Sequence, residues 1–175
     1  METVDYKGYT IQIEQESYPS NPRTNHDNLA TMACRHSRYD LGDTEEIPSN
    51  LERDTIWLPL YLYDHSGITM NTTGFSCPWD SSQVGYIYVT KTRVRKEYKW
   101  RKLTAERIAK IKEYLVGEVE TYDHYITGNV YGYKIVDSNG FEWDSCWGFY
   151  GYNHEESGLL EYAKNHIDYL AKELK

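Results

Sequence analysis

The sequence has little cysteine, little phenylalanine and no long apolar run. Its cysteines, Cys34, Cys77 and Cys146, are odd in number and widely spaced, which argues against a disulfide framework and fits a reducing compartment. No apolar run approaches the roughly 18 residues that a membrane-spanning helix needs. The first residues also lack the basic and apolar parts of a signal peptide. We therefore expect a soluble, cytoplasmic protein that does not bind membranes.

The sequence is rich in acidic residues and in tyrosine. The 27 acidic and 19 basic residues give a formal net charge of -8, and 18 tyrosines stand against three phenylalanines. An aromatic content of 15% argues against wholesale disorder. A length of 175 residues is typical of one domain, so we expect residues 1–175 to share a single core.

Prolines occur only in the first half of the chain, where they punctuate loops and short strands. Alternating apolar and polar residues predict a strand at 9–13, and residues 17–55 read as loop-rich with a short helix near 29–36. Pro59 makes the segment 57–63 an edge or bulged strand. A turn at 64–67 then predicts a hairpin into 68–73, and a further strand covers 84–89.

Two helices dominate the second half. Apolar residues at steps of three and four predict a helix over about 104–126 and another over about 157–174, the second ending with Lys172 and Lys175. Between them, Asn139-Gly140 predicts a tight hairpin that joins strands 130–136 and 141–147. The fold class expected is α+β, an antiparallel sheet with the two main helices packed on one face.

The segment 91–102 is the largest electrostatic feature, with seven basic residues against one acidic residue. Its balance of +6 leaves -14 for the rest of the chain. Aromatic rings lie between the cations, as in surfaces that stack on single-stranded bases. The alternative is a solvated segment whose cations pair with the protein's own carboxylates. The candidate nucleic-acid contacts are Arg93, Arg95, Lys99 and Trp100.

Acidic residues form three groups along the chain, at 40–46, at 118–123 and at 137–144. Carboxylates at phosphate-like spacing can occupy the basic channel of another protein. Tyrosine binds partners at modest entropic cost, and rings with glycines between them recur at 122–133 and 147–152. Ordinary solubility and cross-strand ring packing are the alternatives. The candidate binding residues are Glu118, Glu120, Asp123, Tyr122, Tyr125, Asp144 and Trp147.

Two thiols lie next to aromatic and acidic residues, in Cys77-Pro78-Trp79-Asp80 and Asp144-Ser145-Cys146-Trp147. A catalytic thiol needs a base, usually histidine, so an enzyme would use Cys77 or Cys146 with a residue such as His65 or His124. Cys34-Arg35-His36 offers two metal-ligand types, which the other cysteines and His65, His124 or His154 could complete. No Cys-x-x-Cys or His-x-x-x-His spacing supports a metal site, so we expect no metal and no cofactor.

Several stretches resemble a group of small proteins encoded in bacteriophage and prophage genomes, over roughly residues 22–151. The resemblance rests on His65-Ser66-Gly67, Cys77-Pro78-Trp79-Asp80-Ser81, Gln83-Val84-Gly85, Tyr122 to Tyr133 and Asp144-Ser145-Cys146-Trp147-Gly148-Phe149. It implies a small acidic protein of the host cytoplasm, made during infection or from mobile DNA. Such proteins are often inhibitors of host defence nucleases or accessory factors in phage DNA metabolism. The resemblance supplies no functional residues.

These observations lead to three functional hypotheses. The first is a non-enzymatic inhibitor of a host nucleic-acid-targeting defence system, of the anti-CRISPR or anti-restriction type. Its acidic, tyrosine-rich surface would bind a host protein or ribonucleoprotein complex with a basic surface. The second is a small Cys/His-dependent enzyme that acts on nucleic acid or nucleotides. The third is an accessory protein that binds nucleic acid through the 91–102 segment.

Overall fold

The computed structural model describes residues 2–173 and confirms the α+β class. Its strands pair antiparallel within each sheet, and both predicted main helices are present. The strands are β1 (Glu2–Tyr6), β2 (Tyr9–Gln15), β3 (Thr31–Cys34), β4 (Thr55–Asp64), β5 (Ile68–Asn71), β6 (Ser81–Thr90), β7 (Val130–Asp137) and β8 (Glu142–Tyr150). The helices are α1 (Pro22–Asn25), α2 (Leu51–Asp54), α3 (Lys91–Tyr98), α4 (Ala105–Ile126) and α5 (Leu159–Glu173).

The chain divides into two compact units. Unit 1 combines residues 1–20 with 128–175, and unit 2 comprises residues 21–127. The strands accordingly form two four-stranded sheets where the sequence predicts one, and each sheet has its own main helix. The expectation of a single domain over 1–175 stays a prediction. Leu174 and Lys175, assigned to the last helix from the sequence, lie outside the described residues. No helix formed by residues 2–173 is long and apolar enough to cross a membrane.

Unit 1 is built from two hairpins and α5, with strand order β1-β2-β7-β8. In the β7–β8 turn, Asp137 accepts hydrogen bonds from the backbone N–H groups of Asn139 and Phe141, and Gly140 takes a positive φ of 82°. This confirms the hairpin predicted from Asn139-Gly140. The core lies between the sheet and α5. Its fully buried or nearly buried side chains are Ile11, Ile13, Tyr133, Ile135, Leu159, Ala163 and Ile167.

Unit 2 has strand order β3-β6-β4-β5, and α4 covers its sheet. Thr104 caps α4 by accepting a hydrogen bond from the backbone N–H of Arg107. The apolar stripe predicted for this helix is buried against the sheet, with Ile111, Leu115, Val119 and Tyr122 on the inner face. The polar residues of α4 therefore face outward or meet the loops around the sheet.

Residues 31–34 form β3, so the short helix predicted over 29–36 is wrong. β3 pairs with β6, and Gly85 on β6 allows the two backbones to approach closely. A Cβ placed at Gly85 would lie 1.9 Å from the carbonyl oxygen of Ala33. This contact is with a strand about 50 residues away, so it is invisible to a local pattern. The segment 17–55 is otherwise loop-rich, with α1 and α2 as single turns of helix.

The segment predicted as an edge or bulged strand is β4. A bulge does lie between Leu60 and Tyr61, but the edge assignment is wrong for residues 61–63, which pair with β5 on one side and β6 on the other. Pro59 is tolerated because the pairing with β5 begins only at Tyr61. The proline therefore marks a half-exposed part of an internal strand.

Candidate functional site

The basic segment at 91–102 forms α3 and the turn that follows it. Thr90 caps α3 by accepting a hydrogen bond from the backbone N–H of Arg93 at 3.1 Å. Val94 is fully buried in the core of unit 2, which fixes one side of the helix against the protein. α3 ends where Lys99 takes the left-handed conformation, with φ of 54°. The remaining sides of this short helix present their basic side chains to solvent.

None of the seven cations in 91–102 forms an ion pair with a carboxylate of residues 2–173. Lys91 and Arg93 donate instead to the backbone carbonyls of Arg53 and Asn28. Pairing with the protein's own carboxylates therefore does not account for these charges within the described chain. The remaining basic side chains are exposed, and they are Arg95, Lys96, Lys99, Arg101 and Lys102.

The first turns of α4 extend this basic surface. Arg107 places its guanidinium 4.8 Å from the ring centroid of Trp100 and donates to the carbonyl of Lys102 at 2.8 Å. Lys110 and Tyr114 follow Arg107 by three and seven residues, so the three side chains share one helix face. We name α3, the turn to residue 104 and this face of α4 the basic corner. Residues 91–112 hold ten Lys and Arg against two Glu.

The rings predicted to stack on bases support the turn of the basic corner. Tyr98 and Trp100 stack on each other with ring centroids 4.6 Å apart, and both pack against the core of unit 2. Arg107 adds its cation to Trp100. Trp100 is therefore half-buried and engaged with the protein, and its contribution is to hold the turn on which Lys99 and Arg101 are displayed.

Tyr114 is the exposed ring of the basic corner that the sequence reasoning missed. Its side chain is 46% exposed on the same face of α4 as Lys110. It lies close to the Tyr98 hydroxyl, whose pKa is raised first by burial and then by Tyr114. The helical spacing of Arg107, Lys110 and Tyr114 was the available signal. Tyr114 is the ring in this region that is free to contact a base.

Glu118, predicted as part of an anionic binding surface, is buried inside unit 2. Its carboxylate accepts hydrogen bonds from the backbone N–H groups of Leu29 at 2.7 Å and Ala30 at 3.1 Å. It also pairs with Arg23 at 2.7 Å, and the two side chains are only 7% and 2% exposed. Arg23 in turn makes a two-bond contact with Asp43. This carboxylate therefore holds a loop on α4 and does not face a partner.

Most of the other residues predicted around Glu118 also make contacts inside unit 2. Asp123 accepts hydrogen bonds from the Thr69 hydroxyl at 2.8 Å and the Met70 backbone N–H at 2.6 Å. The Tyr122 hydroxyl accepts from the backbone N–H of Gly42, and burial raises the pKa of Tyr122. Tyr125 is half-buried against the same core. Glu120 alone in this group is exposed, so the structure does not bring the group together as one outward-facing acidic surface.

Unit 1, by contrast, exposes many acidic and aromatic side chains. It contains 12 Asp and Glu against five Lys and Arg. The ring of Trp147 lies over Gly132, where a Cβ would approach it to 2.2 Å, and its side chain is 40% exposed. The large exposed aromatic side chains of this unit are Tyr18, Phe141, Trp147, Tyr152, Tyr162 and Tyr169.

Both thiols considered for catalysis lie near a carboxylate and an imidazole. The Cys77 thiol donates to Asp80 Oδ2 at 3.5 Å, and His65 Nδ1 lies 3.4 Å from the same oxygen. Cys146 lines a cavity of unit 1 together with Asp144 and His166. His166 is a residue that the sequence reasoning missed, although it precedes the buried Ile167 on α5. His124 lies on α4 of unit 2 and not in this cavity.

The described residues bring no metal site together. Among residues 2–173, no group of three or more His, Cys, Asp or Glu side chains could hold a metal ion. Cys34 ends β3 and is buried in the core of unit 2, and desolvation raises its pKa to about 12. A thiol with that pKa stays protonated at neutral pH and is a poor ligand and nucleophile.

Comparison of the chain with protein-family models, with curated proteins and with solved structures finds no match in any of the three. The functional interpretation therefore rests on the geometry of the chain itself.

Proposed function

We propose that the protein binds nucleic acid through the basic corner of unit 2. The observation that carries the proposal is that the seven cations of 91–102 form no ion pair among residues 2–173. Concentrated positive charge of this kind repels itself and is favoured where a polyanion neutralises it. In the phage setting that the resemblance implies, this role is that of an accessory factor in DNA metabolism.

The arrangement of the cations favours a phosphate backbone as the ligand. Arg95 and Lys96 on α3, Lys99 and Arg101 on the turn, and Lys110 on α4 come from three consecutive segments. Lys and Arg side chains that neutralise successive phosphates release condensed counterions, which supplies most of the affinity at low salt. A convex helix and turn can follow such a backbone without a deep pocket.

The exposed ring of Tyr114 favours unpaired bases. A base in a duplex offers its face only to its neighbours, whereas a single strand can place a base on an aromatic side chain. Tyr114 lies on the same helix face as Arg107 and Lys110, one to two turns further along α4. Phosphates held by the cations would place a neighbouring base near this ring, so we expect single strands to bind more tightly than duplex.

The test is fluorescence anisotropy with labelled single- and double-stranded oligonucleotides over a series of salt concentrations. The informative variant replaces Arg95, Lys96 and Lys99 with Glu. We expect it to bind at least about tenfold more weakly at low salt than the native chain. The slope of log K against log salt should become shallower by about 0.7 for each single-strand phosphate that the variant no longer neutralises.

A matched control has the same change of charge at sites outside the basic corner. Arg35, Lys164 and Lys172 replaced by Glu serve this purpose, because none of them forms an ion pair among the described residues. Equal weakening of oligonucleotide binding in the two triple variants would show that affinity depends only on net charge. That result, or no binding of any oligonucleotide by the native chain at low salt, would overturn the proposal.

Unit 1 supports a second candidate, the inhibitor of a host nucleic-acid-targeting defence system. Its acidic excess and exposed rings would press against a basic channel of the host complex, with Trp147 and Tyr152 as aromatic anchors. The carboxylates that would contact the basic channel are the exposed ones of unit 1, such as Glu155, Glu156 and Glu161. Glu118 and Asp123 do not contribute to it because their oxygens are used inside unit 2.

This candidate is tested by plating a targeted phage on a host with an active CRISPR or restriction system. Expression of the native chain should raise the plating efficiency, and Glu155, Glu156 and Glu161 replaced by Lys should return it to the vector level. Glu45, Glu46 and Glu52 replaced by Lys are the matched control, because they are exposed in unit 2. Full protection by the unit 1 variant would contradict the candidate.

A further inference from the structure

A cavity in unit 1 lies between the edge strand β8 and α5. The pairing of Tyr133 with Cys146 and of Ile135 with Asp144 puts these four side chains on the sheet face that α5 covers. From α5, Tyr162 and His166 complete the walls. The cavity has a volume of about 430 Å³, which is the size of a small-molecule site.

The imidazole in this cavity is oriented by a carboxylate. His166 Nδ1 lies 2.9 Å from Asp144 Oδ2, and the other oxygen of Asp144 accepts a hydrogen bond from the backbone N–H of Ser145 at 2.8 Å. The carboxylate is thus fixed to the β8 backbone, and a proton on Nδ1 of the imidazole would face it. Nε2 is then the nitrogen left to accept a proton, as in a histidine that serves as a general base.

A tyrosine in the wall of the same cavity has a buried hydroxyl without a partner among the described residues. Tyr133 is fully buried, and its hydroxyl has no hydrogen-bond partner among residues 2–173. Burial raises the pKa of Tyr133 to about 12, and the neighbouring Cys146, Asp144 and Tyr162 also act to raise it. The hydroxyl is therefore a protonated donor at neutral pH. A buried polar group with no partner is costly, and a ligand oxygen would satisfy it.

We propose that this cavity is an acyl-transfer site for small activated esters and thioesters, with Cys146 as nucleophile, His166 as base and Tyr133 as donor to the carbonyl oxygen. The Cys146 sulfur forms a bond to the acyl carbon as its proton passes to His166 Nε2. The bond from the acyl carbon to the alcohol or thiol then breaks, and the leaving group takes that proton. Water releases the acyl group from Cys146 by the same steps in reverse.

The Cys77 cluster has the same residue types in an unproductive order. There the carboxylate of Asp80 lies between the two groups, since it accepts from the thiol and contacts His65. The Cys77 thiol thus directs its proton at a carboxylate and not at an imidazole. Both Asp80 and His65 are more than a third exposed. This cluster is an internal control for the site at Cys146.

The test uses p-nitrophenyl acetate on the full chain, with release of p-nitrophenolate and the position of the acetyl group by peptide mass spectrometry as readouts. We expect the acetyl group on Cys146 in preference to Cys77, and no loss of rate in Cys77→Ala. His166→Gln should slow acylation at least about 100-fold, as loss of a general base does. Tyr133→Phe should slow it about 100-fold, as loss of an oxyanion donor does.

Asp144→Asn supplies a second variant, because it keeps the size of the side chain but removes the carboxylate that orients His166. Far-UV circular dichroism and urea unfolding show whether each variant is folded. Folded His166→Gln and Asp144→Asn proteins with the native acylation rate would overturn the proposal. So would acetylation of Cys146 no faster than of Cys77. Neither result depends on whether the basic corner binds nucleic acid.

Discussion

Several carboxylates of unit 2 serve as acceptors inside the fold, whereas one group of unit 1 carboxylates lies on the surface. In unit 2, Glu118, Asp123 and Asp43 each accept a backbone N–H group of a strand or loop around the sheet, at Leu29, Met70 and Met32. These carboxylates are hydrogen-bond acceptors within the fold. They therefore do not pair with the cations of the basic corner. In unit 1, the carboxylates at 155, 156 and 161 are exposed. Acidic residues of similar appearance in the sequence thus hold the fold together in one unit and lie on the surface in the other.

This difference shows why charge along the chain is a poor guide to charge on the surface. Buried carboxylates are tolerated where backbone N–H groups and a guanidinium compensate their desolvation. Unit 2 has such groups because the loop at 28–30 presents the backbone N–H groups of Leu29 and Ala30 to Glu118. Removing one of these carboxylates therefore tests the comparison more severely than removing an exposed one.

The largest effect is expected for Glu118→Gln. The change leaves the guanidinium of Arg23 buried with only Asp43 as its ionic partner, and it weakens the two hydrogen bonds from the backbone at Leu29 and Ala30. Breaking a buried pair costs about 3–5 kcal/mol of the free energy of unfolding. Urea unfolding followed by tryptophan fluorescence measures it.

The matched control for that change is Glu120→Gln, two residues further along α4. Glu120 is exposed, so we expect a change within about 0.5 kcal/mol. Equal midpoints for the two variants would show that the Glu118–Arg23 pair contributes nothing, and the contrast between the units would lose its main support.

The parts of the fold that the sequence predicts correctly are those set by nearby residues. The apolar stripe of α4 identifies a helix with the correct buried face, and Asn139-Gly140 identifies the β7–β8 hairpin. The local pattern at β3 predicts a helix, whereas the strand depends on Gly85, which lies on a distant strand. The division into two sheets likewise depends on which strands meet, which a local period does not encode.

The candidate sites follow the same rule. The basic segment 91–102 is contiguous, so its composition alone finds it. The cavity at Cys146 combines β7, β8 and α5, and neither the spacing of His166 from Cys146 nor its neighbours identify it as the partner. For the Glu118 group, the charges are visible in the sequence, but the backbone donors that they bind belong to a loop and a strand some 50 to 90 residues away.

A smaller loss of stability is expected for Asp123→Asn in unit 2. Asp123 Oδ1 accepts hydrogen bonds from both the Thr69 hydroxyl and the Met70 N–H, so its removal leaves a donor of the edge strand β5 poorly satisfied. Hydrogen bonds to charged groups contribute about 1.5–3 kcal/mol, and we expect a loss in that range. Urea unfolding measures it against Glu113→Gln, an exposed residue of the same helix. A loss no larger than that of the control would place Asp123 among the surface carboxylates.

The smallest effect at neutral pH is expected for Tyr133→Phe in unit 1. The Tyr133 hydroxyl is buried without a partner in the described chain, so its removal should leave stability equal or slightly higher, within about 1 kcal/mol. At alkaline pH the two proteins should diverge. The pKa of Tyr133 is raised to about 12 from 10.0, so the unfolded state loses this proton first, and stability falls as pH rises between those values.

In the Phe variant that contribution to the pH dependence disappears, and the free energy of unfolding should fall less steeply from pH 10 to pH 12 than in the native chain. Urea unfolding at a series of pH values gives both slopes, and the other tyrosines cancel in their difference. Identical slopes would mean that the hydroxyl ionises as readily in the folded as in the unfolded protein. The Tyr133 hydroxyl would then be in contact with water in the folded protein, contrary to its burial in the core of unit 1.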